Sequence, residues 1–580
     1  MTQTIKRKLN DSAAARWSAV ILISLMMFFA YMFVDMMSPL QSLIEGERGW
    51  SPDIFGTYGS SEYLLNVFGF LIIAGVILDK MGIRFTGTLS ASLMVIGAVI
   101  KFYGVSDWFV GSELDATISS WGLFDLPGSA VLSCFGFMIF GCGCEMAGIT
   151  VSRAIAKWFK GKEIAMAMGL EMAIARIGVF AIFTMSPAVA DSDMFAFIPT
   201  SVVKPVFLCT VLLMIGLICF LVFSVLDKKF DKQLAASGEA EAAAEEEFKF
   251  SDVKIILSSK IFWLVAMLCV LYYSAIFPFQ RYATNMFENN LGISAAEAAS
   301  IFRWFPIGAA IITPFLGGFL DKKGKGASML ILGAILMISC HLIFALVLPE
   351  FPNLLLAYSA IVVLGVSFSL VPAALWPSVP KLMPERYLGS AYSLIFWVQN
   401  VGLCIVPMLI GIVLNSTNPG VSDAFENKNM TKTLQEKVDY MSDIYALEAE
   451  ITAYEEFVAQ NNNTADMPTS VENDGQESAA NVDYSKFDVN AKRAKLDALK
   501  ANKAKQGISD SFDYEASVAE IETLKAEKIE KNYPDNPKYN YTTTMLIFVS
   551  FGVLALLFGL WLKREDSKKG YGLELPNIKE

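Results

Sequence analysis

Histidine is almost absent from this chain, and the single His341 excludes a metal site built from a cluster of histidines. The eight cysteines all fall inside apolar stretches, so none is left to form a disulfide in an outer loop. Charged residues make up only 18% of the 580 residues, whereas 54% are hydrophobic. Runs of about 20 apolar residues recur along the chain, and each is long enough to cross a membrane as a helix. The composition therefore indicates a multi-pass membrane protein.

Patterns that support catalysis are also missing. No nucleophile–base set and no cofactor-binding loop occurs, so we expect no enzymatic activity, no cofactor and no metal. The net charge of -11 and the burial of most of the chain in a bilayer exclude nucleic-acid binding. No cleavable signal peptide is evident, because Lys6, Arg7, Lys8 and Arg16 precede a segment too long for one.

The apolar runs predict twelve membrane-spanning helices, and hence an all-α membrane protein. The predicted spans are 17–43, 54–78, 85–104, 129–156, 164–189, 203–226, 259–286, 296–320, 327–348, 354–380, 389–414 and 543–562.

Lysine and arginine are unevenly distributed between the two sets of connecting loops. One set is rich in these residues and comprises 79–84, 157–162, 227–232, 321–326, 381–386 and the tail 563–569. The other set is acidic or neutral and comprises 45–53, 106–125, 190–194, 287–290 and 349–353. We call the two membrane faces the basic side and the acidic side. Short loops rich in lysine and arginine stay in the cytoplasm, so the basic side and both termini are predicted to be cytoplasmic.

A hydrophilic connection divides the spans six and six. The predicted domains are an N-terminal half (1–226), a linker (227–256) and a C-terminal half (257–415 and 543–580), with an insert at 416–542. Each half repeats a loop pattern, GxxxDKxG, after its second span. We expect each first glycine to permit close helix contact, and each aspartate to meet a basic side chain or a helix N-terminus. The residues of this predicted gating motif are Gly75, Asp79, Lys80, Gly82 and Arg84, and then Gly317, Asp321 and Lys322.

The insert at 416–542 is polar, and the topology places it on the acidic side. Apolar residues at spacings of three and four from Leu434 to Val458 predict an amphipathic helix. A loop at 461–478 follows, and then helices at 491–506 and 516–532. We expect a small helical cap, either a solvated insertion or a surface that binds a protein partner or gates the substrate. Four N-glycosylation sequons begin at Asn415, Asn429, Asn462 and Asn540.

Two charges inside spans four and five form the main candidate site. Glu145 lies 13 residues before Trp158, and Arg176 lies 13 residues after Glu163. At about 1.5 Å of rise per residue, both lie roughly 20 Å from the turn that joins the two helices. One interpretation is a structural ion pair. The other is a clamp for a zwitterion, in which the carboxylate binds an ammonium and the guanidinium binds a carboxylate.

The remaining intramembrane charges are assigned as follows. Asp35 and Glu62 lie within spans one and two, and Glu171 is expected to face a different side of its helix from Arg176. Lys101, Arg281 and Arg303 lie near predicted span ends, and we expect them to extend to the membrane interface.

Several stretches carry a family resemblance. GCGCEMAGITVSRAIAKWFKGKEIAMAMGLEMAIARIG (141–178), YMFVDMMSPLQ (31–41), TPFLGGFLDKKGK (313–325) and LGVSFSLVPAALWPSVPKLMPERYLGSAYSLIFWVQNVGL (364–403) resemble the lysosomal dipeptide transporters of the major facilitator superfamily. The resemblance covers both halves and excludes the insert. It implies two six-helix halves that close around a central site, with spans 1, 4, 7 and 10 moving around it.

The resemblance also implies a function. Dipeptides would move by uniport with little selection for side chains, with Glu145 at the peptide's amino end and Arg176 at its carboxylate. Trp376 would form an aromatic wall of the cavity. The predicted substrate-binding residues are Glu145, Arg176, Asp35, Trp376 and Gln399. Phe137 stands where many superfamily members carry an arginine used in proton coupling, which argues against proton drive.

Two alternatives stay open at this point. A transporter of organic anions, such as a dicarboxylate or a sugar phosphate, usually needs two cavity cations, and Arg281 is the candidate second one. A non-transporting receptor or scaffold would act through the insert. We expect a monomeric transport unit in a bilayer. No N-terminal dileucine sorting signal is present, which favours the plasma membrane or a bacterial inner membrane over a lysosome.

Overall fold

The computed structural model describes residues 8–160, 162–236, 250–383, 388–461, 487–503, 508 and 512–576. Within those ranges the chain forms nineteen α-helices joined by short turns and loops. The helices are α1 Ala13–Asp35, α2 Gln41–Arg48, α3 Pro52–Val67, α4 Phe70–Val105, α5 Glu113–Ser119, α6 Gly128–Trp158, α7 Ile164–Ala190, α8 Val203–Ala236, α9 Phe250–Leu257, α10 Lys260–Leu291, α11 Ala295–Phe302, α12 Trp304–Lys323, α13 Gly326–Leu342, α14 Leu354–Leu382, α15 Leu388–Thr417, α16 Val421–Asn461, α17 Val489–Asn502, α18 Tyr514–Glu530 and α19 Thr542–Lys569.

Among the described residues, eleven helical segments are long and apolar enough to cross a membrane. The number is eleven rather than twelve because α4 runs without interruption through parts of two of the predicted spans. The two parts of α4 are separated by Gly82, whose backbone (φ 76°, ψ 174°) is not helical. Counted on either side of Gly82, the helices give the predicted twelve-span, all-α fold.

The second span departs from the prediction of one continuous helix over 54–78. Helix α3 ends at Val67, and α4 begins at Phe70. Gly69 between them adopts a left-handed conformation (φ 99°) that an L side chain would strain. The carbonyl of Val67 accepts a hydrogen bond from the Trp397 indole at 2.8 Å. A backbone group released by the break is thereby paired, as membrane interiors require.

Side chains and glycines fix several helix ends. Ser12, Ser259 and Asn353 each accept a hydrogen bond from a backbone N–H in the first turn of the helix that follows. Gly292 ends α10 and Gly570 ends α19, both in the left-handed conformation. These caps lie next to apolar runs, which is why hydropathy alone located most spans to within a few residues.

The N-terminal half comprises α1 to α8, and the C-terminal half comprises α10 to α15 together with α19. The two halves contact each other mainly through three sets of helices. Helix α3 packs against α15, and α7 packs against both α11 and α12. Helix α10 packs against α2 and against the turn at Ser38–Leu40 that precedes α2. These segments all lie toward the acidic side. Ser42 and Glu288 form a hydrogen bond there, and Tyr282 donates to the carbonyl of Pro52 at 3.2 Å.

Glycines allow the two halves to approach closely along this seam. A Cβ atom on Gly56 would lie 2.5 Å from the Pro407 carbonyl oxygen. A Cβ atom on Gly411 would lie 2.3 Å from the Pro52 carbonyl oxygen. Real Cβ atoms do not approach backbone oxygen this closely, so the seam depends on the absence of side chains. We call Gly56, Gly59 and Gly411 the glycine seam.

The basic side is organised differently. Each ion pair that the structure describes there joins residues of one half. These pairs are Arg16–Glu163, Lys162–Asp11, Arg84–Asp227, Arg84–Asp231, Lys157–Asp227, Lys157–Asp231, Arg153–Asp79 and Lys260–Glu565. The halves are therefore joined toward the acidic side, and the described ion pairs do not join them at the basic side.

A second compact unit consists of residues 195–200 and 423–537, and so lies largely within the predicted insert. Helices α16, α17 and α18 confirm the three helical segments predicted there. Its core contains apolar residues from α16 at the predicted spacing: Met441, Ile444, Leu447 and Ile451, packed with Leu496 and Ile508. The predicted loop at 461–478 lies outside the described residues after position 461, as does the sequon asparagine Asn462.

Candidate functional site

The hairpin of α6 and α7 places both charges of the candidate clamp within the membrane. Its turn is held to the N-terminal half at the basic side, where the Trp158 indole and the Lys157 ammonium both bind Asp227 at 2.9 Å. Glu145 and Arg176 are both half-buried. Among the described residues no ion pair joins them, so this conformation does not contain the structural pair that we considered as one interpretation.

Arg176 projects from the N-terminal half toward aromatic residues of the C-terminal half. Its guanidinium carbon lies 5.9 Å from the ring centroid of Phe277 and 5.7 Å from that of Phe368. The ring faces stabilise the cation without consuming its hydrogen-bond donors. Arg176 therefore keeps its planar fork available for a carboxylate.

Trp376 belongs to the same aromatic surface. Its indole donates to the Tyr273 hydroxyl at 3.4 Å, and its ring stacks on Phe396 at 4.9 Å between centroids. Tyr273 in turn contacts Phe277, with 5.5 Å between ring centroids. We call Tyr273, Phe277, Phe368, Trp376 and Phe396 the aromatic wall.

Two residues near the charges were not predicted to take part. Tyr31 on α1 interacts electrostatically with Arg176, Glu171 and Glu145. Glu171 also attracts Arg176, although we expected it to face away. Five residues of separation turn a helix by about 140°, but the long arginine side chain still reaches the field of the carboxylate. The motif YMFVDMMSPLQ contained Tyr31, yet nothing in its spacing distinguished that tyrosine.

Asp35 and Gln399, two further predicted substrate-binding residues, are both buried. Asp35 lies at the end of α1, where its charge interacts with that of Arg281 from the C-terminal half. Gln399 accepts a weak hydrogen bond from the Cys269 thiol at 3.4 Å. In this conformation Asp35 and Gln399 are buried, whereas Glu145 and Arg176 are half-buried.

The prediction that Lys101 and Arg281 extend to the membrane interface is wrong. Lys101 is fully buried, and its Nζ lies 4.5 Å from the ring centroids of Phe33 and Phe137 and bonds to the Tyr58 hydroxyl. Arg281 is buried in an ion pair with Glu62 of the other half. Tertiary partners hold both cations inside the protein, which span position alone did not reveal.

Arg303 differs from these two cations. It is half-buried at the start of α12 and donates to the Thr184 hydroxyl of α7 at 3.4 Å. Its guanidinium carbon also lies 5.6 Å from the Phe180 ring centroid. Arg303 thus contributes to the acidic-side contact between the halves.

The last glycine of the repeated loop motif leaves the helical conformation in both halves. Gly82 and Gly324 each take positive φ values, of 76° and 73°. Asp79 pairs with Arg153 on α6, which confirms the predicted basic partner, and Arg84 pairs with Asp227 at 2.9 Å. The side chain of Asp321 lies outside the described part of the structure, and Lys322 is exposed at the end of α12.

The close helix contacts predicted at the first glycine of each motif are absent from this conformation. A Cβ atom on Gly75 or on Gly317 would meet no atom within 4 Å among the described residues. Both glycines lie toward the basic side, where the described ion pairs leave the halves separate. The expectation of contact is therefore wrong for this state of the molecule.

Comparisons with known proteins agree with this architecture. The family model for the Major Facilitator Superfamily matches residues 23–407. The chain is 26% identical to the lysosomal dipeptide transporter MFSD1 of Homo sapiens over 415 residues, which cover 70% of this chain and 81% of that protein. It is 31% identical to the protein of the same name from Danio rerio over 290 residues, which cover 48% of this chain and 59% of that relative.

The structural relatives show the same fold. A bacterial homolog of the human lysosomal transporter Spinster, in an inward-facing and unoccupied conformation, superposes with a TM-score of 0.56 at 13% identity. The match covers 96% of this chain and 98% of that one. The nucleoside transporter NupG superposes with a TM-score of 0.51 at 13% identity, over 68% of this chain and 91% of that one.

Proposed function

The chain belongs to the major facilitator superfamily, and from that premise we propose that this membrane transporter carries small zwitterionic peptides, chiefly dipeptides, by alternating access as a uniporter. The observation that carries the proposal is the state of Glu145 and Arg176. Both are half-buried within the membrane, and neither has an ion-pair partner among the described residues. Intramembrane charges of opposite sign without partners suit a ligand that brings both complementary charges.

The two ends of a dipeptide match these two groups. An ammonium is a donor of three hydrogen bonds, which the Glu145 carboxylate accepts. A peptide carboxylate is planar and accepts two parallel hydrogen bonds from the Arg176 guanidinium. The aromatic wall opposite Arg176 offers apolar surface to side chains without a specific polar contact, which suits broad side-chain tolerance.

The named relatives support the same substrate class. The relatives from Homo sapiens and Danio rerio are both called lysosomal dipeptide transporters. The range matched by the family model, residues 23–407, includes the α6–α7 region where the clamp residues lie. Gln399 and Asp35 remain proposed contacts for a conformation in which the acidic side opens.

The position of Arg281 disfavours the organic-anion alternative. A dicarboxylate or sugar phosphate would need a second cation beside Arg176, and Arg281 was the candidate. Its guanidinium is instead paired with Glu62, and both side chains are only 6% exposed. A charge neutralised in this way adds little attraction for a second carboxylate.

Uniport and membrane orientation are part of the proposal. Phe137, which stands at the position of the usual coupling arginine, is buried and stacks on Tyr58 at 4.8 Å between ring centroids. The basic side faces the cytoplasm by the distribution of lysine and arginine. The structure then corresponds to a state closed at the outer side, in a plasma membrane or a bacterial inner membrane.

Thermal unfolding in detergent tests the clamp directly. Ala-Ala should raise the melting temperature of the wild type, because a ligand that binds only the folded state stabilises it. Acetyl-Ala-Ala and Ala-Ala-amide should each lose most of this effect, since each lacks one charged end. Glu145→Gln and Arg176→Ala should abolish the response to Ala-Ala while the protein still folds.

Two control variants distinguish a specific loss of Ala-Ala binding from a general loss of protein stability. Glu113→Gln changes an exposed glutamate in the short helix α5, and Arg493→Ala changes an exposed arginine in α17. Both should retain the full response to Ala-Ala. A full response in both clamp variants would refute the clamp.

A further inference from the structure

Arg281 belongs to α10 of the C-terminal half, yet its charged end is surrounded by residues of the N-terminal half. It forms an ion pair with Glu62 of α3, and its Nη1 donates to the Val34 carbonyl at 3.5 Å. Its guanidinium carbon lies 5.4 Å from the ring centroid of Phe137 on α6. The guanidinium thus crosses the boundary between the two halves on the part of the seam that lies toward the acidic side.

The glycine seam makes room for this side chain. A Cβ atom on Gly59 would lie 2.9 Å from Cδ and 3.3 Å from Nε of Arg281. The arginine stem therefore crosses α3 at a position where that helix has no side chain. A Cβ atom at position 59 would force the stem of Arg281 to shift.

The N-terminal half alone contains the receptor for this cation. Glu62 supplies a carboxylate, Val34 a carbonyl oxygen and Phe137 a ring face. We call these three groups the cation seat. A carboxylate, a carbonyl and an aromatic face are also the groups that bind a primary ammonium. In this structure Arg281 occupies the seat as a tethered cation.

The cation seat lies beside the carboxylate of the clamp. A Cβ atom on Gly141 of α6 would lie 1.9 Å from the Glu62 carbonyl oxygen, so the two helices touch at this level. Glu145 follows Gly141 by four residues, which places it on the same face of α6, about 6 Å nearer the basic side. The charges of Glu62 and Glu145 interact electrostatically. A cation released from Glu62 thus has a second carboxylate one helical turn away.

We propose that the cation seat is a second binding site for the amino end of the substrate, used while the acidic side is open. Alternating access requires the glycine seam to separate, and Arg281 then leaves with the C-terminal half. The vacated Glu62 receives the substrate's ammonium. As the acidic side closes, Arg281 returns to Glu62, and the ammonium passes to Glu145. The inference rests on the proposed function, because it assigns a second contact to the same ammonium.

A simpler role for the pair is a lock that only holds the acidic side closed. In a pure lock, each charge is needed only to neutralise the other. Removing one charge of the pair leaves the other buried and uncompensated, whereas removing both leaves no uncompensated charge in the pair. The double variant therefore distinguishes a lock from a binding site.

The experiment measures uptake of labelled Ala-Ala into proteoliposomes and melting temperature for Glu62→Gln, Arg281→Gln and the double variant. Each single variant should lose stability and uptake. The double variant should recover most of the melting temperature that each single variant loses, and the remaining difference reflects the lost attraction between Arg281 and the buried Asp35. Its uptake should stay about tenfold below wild type, since the substrate has lost one charge-assisted hydrogen bond. Recovery of both properties in the double variant would overturn the proposal.

Glu62→Asp provides a second test that does not depend on the double variant folding. It keeps the charge opposite Arg281, so its melting temperature should stay near that of wild type. The shorter side chain withdraws the carboxylate from the ammonium, so KM for Ala-Ala should rise about threefold or more. An unchanged KM would contradict the seat. A wild type that takes up no Ala-Ala would instead refute the proposed function itself.

Discussion

Three cations inside the membrane are stabilised in three different ways. Arg176 lies against aromatic rings and keeps its hydrogen-bond donors for a ligand, whereas Arg281 is paired with a carboxylate of the opposite half. Lys101 is enclosed by aromatic rings of its own half and bonds to a tyrosine hydroxyl. Only the first arrangement leaves a charge ready to bind substrate, which is why Arg176 rather than Lys101 belongs to the clamp.

Lys101 yields a prediction about stability. It has no carboxylate ion-pair partner among the described residues, so its burial is compensated only by the rings and the tyrosine. Lys101→Met keeps the volume and removes the polar group, so the melting temperature should stay level or rise by about 1 to 3 °C. Lys101→Ala leaves a cavity and should lower it. Differential scanning fluorimetry of both variants checks this, and destabilisation by Met equal to that by Ala would contradict it.

At the residue scale, prediction worked where helix geometry alone determined the answer. The depth of Glu145 and Arg176 followed from their equal distance to the α6–α7 turn. The pairing of Glu62 with Arg281 joins residues 219 positions apart, through contact between two halves whose packing the sequence pattern does not specify. Tyr31 and the members of the aromatic wall other than Trp376 were missed for the same reason, because aromatic residues are common on all faces of these helices.

At the scale of elements, the glycine seam determines how closely α3 and α15 approach. Gly411→Ala would place a methyl group 2.3 Å from the Pro52 carbonyl oxygen, which forces the backbone to shift. Overpacking of this kind costs about 1 to 3 kcal/mol. We therefore predict a lower melting temperature and slower uptake of Ala-Ala for Gly411→Ala.

Gly308→Ala on α12 is the matched control for this variant. A Cβ atom there would meet no described atom within 4 Å, so stability and uptake should be unchanged. The seam account fails if Gly411→Ala behaves like Gly308→Ala in both measurements.

A second element-scale feature is the clasp between the start of α1 and the α6–α7 turn. Lys162 binds Asp11 at 3.0 Å, and Arg16 binds Glu163 at 3.2 Å. Hydrogen bonds from the Lys162 side chain and the Lys8 backbone lower the pKa of Asp11. The pKa of Glu163 is also lowered, first by its own backbone N–H and then by Arg16.

The clasp predicts a small dependence of stability on pH. Carboxylates with lowered pKa values stabilise the folded state above their ordinary pKa of about 4, and this contribution is lost as the pH falls through the lowered values. Asp11→Asn should therefore melt about 1 °C below wild type at neutral pH, and the gap should vanish in acid. Asp443→Asn, an exposed change in α16, should show no gap at any pH. A gap for Asp11→Asn that persists in acid would contradict the assignment.

Hydropathy predicted the elements well because membrane helices must be apolar over a fixed length. It did not predict the break at Gly69, since a glycine inside an apolar run looks the same whether the helix continues or stops. The Trp397 indole donates a hydrogen bond to the Val67 carbonyl at the break. Because Trp397 belongs to the other half, local sequence patterns could not predict this contact.

At the scale of the whole molecule, the ends of the insert converge on the transporter body. Ser422 and Tyr539 both donate a hydrogen bond to the same oxygen of Glu45. The Asn418 side chain binds both the backbone N–H and the carbonyl of Asn540, at 2.7 and 3.1 Å. A short connection can therefore join the two sides of the insert without disturbing either half.

Deletion of the insert tests whether transport depends on it. Replacing residues 423–537 by a short glycine–serine linker should leave a folded transporter, with Ala-Ala uptake within about twofold of wild type. Size-exclusion profiles and proteoliposome uptake provide the measurement. A folded deletion variant without uptake would show that the insert takes part in transport, and unchanged uptake would disfavour a receptor that acts only through the insert.

The most direct test of the account is competition for uptake of labelled Ala-Ala into proteoliposomes that contain the purified wild type. The account predicts saturable uptake that unlabelled Ala-Ala inhibits, whereas acetyl-Ala-Ala-amide, which lacks both charged ends, does not. Succinate should also fail to compete, because the site offers one free guanidinium and an opposing carboxylate. Equal inhibition by the doubly blocked peptide or by succinate, or the absence of saturable uptake, would contradict the account.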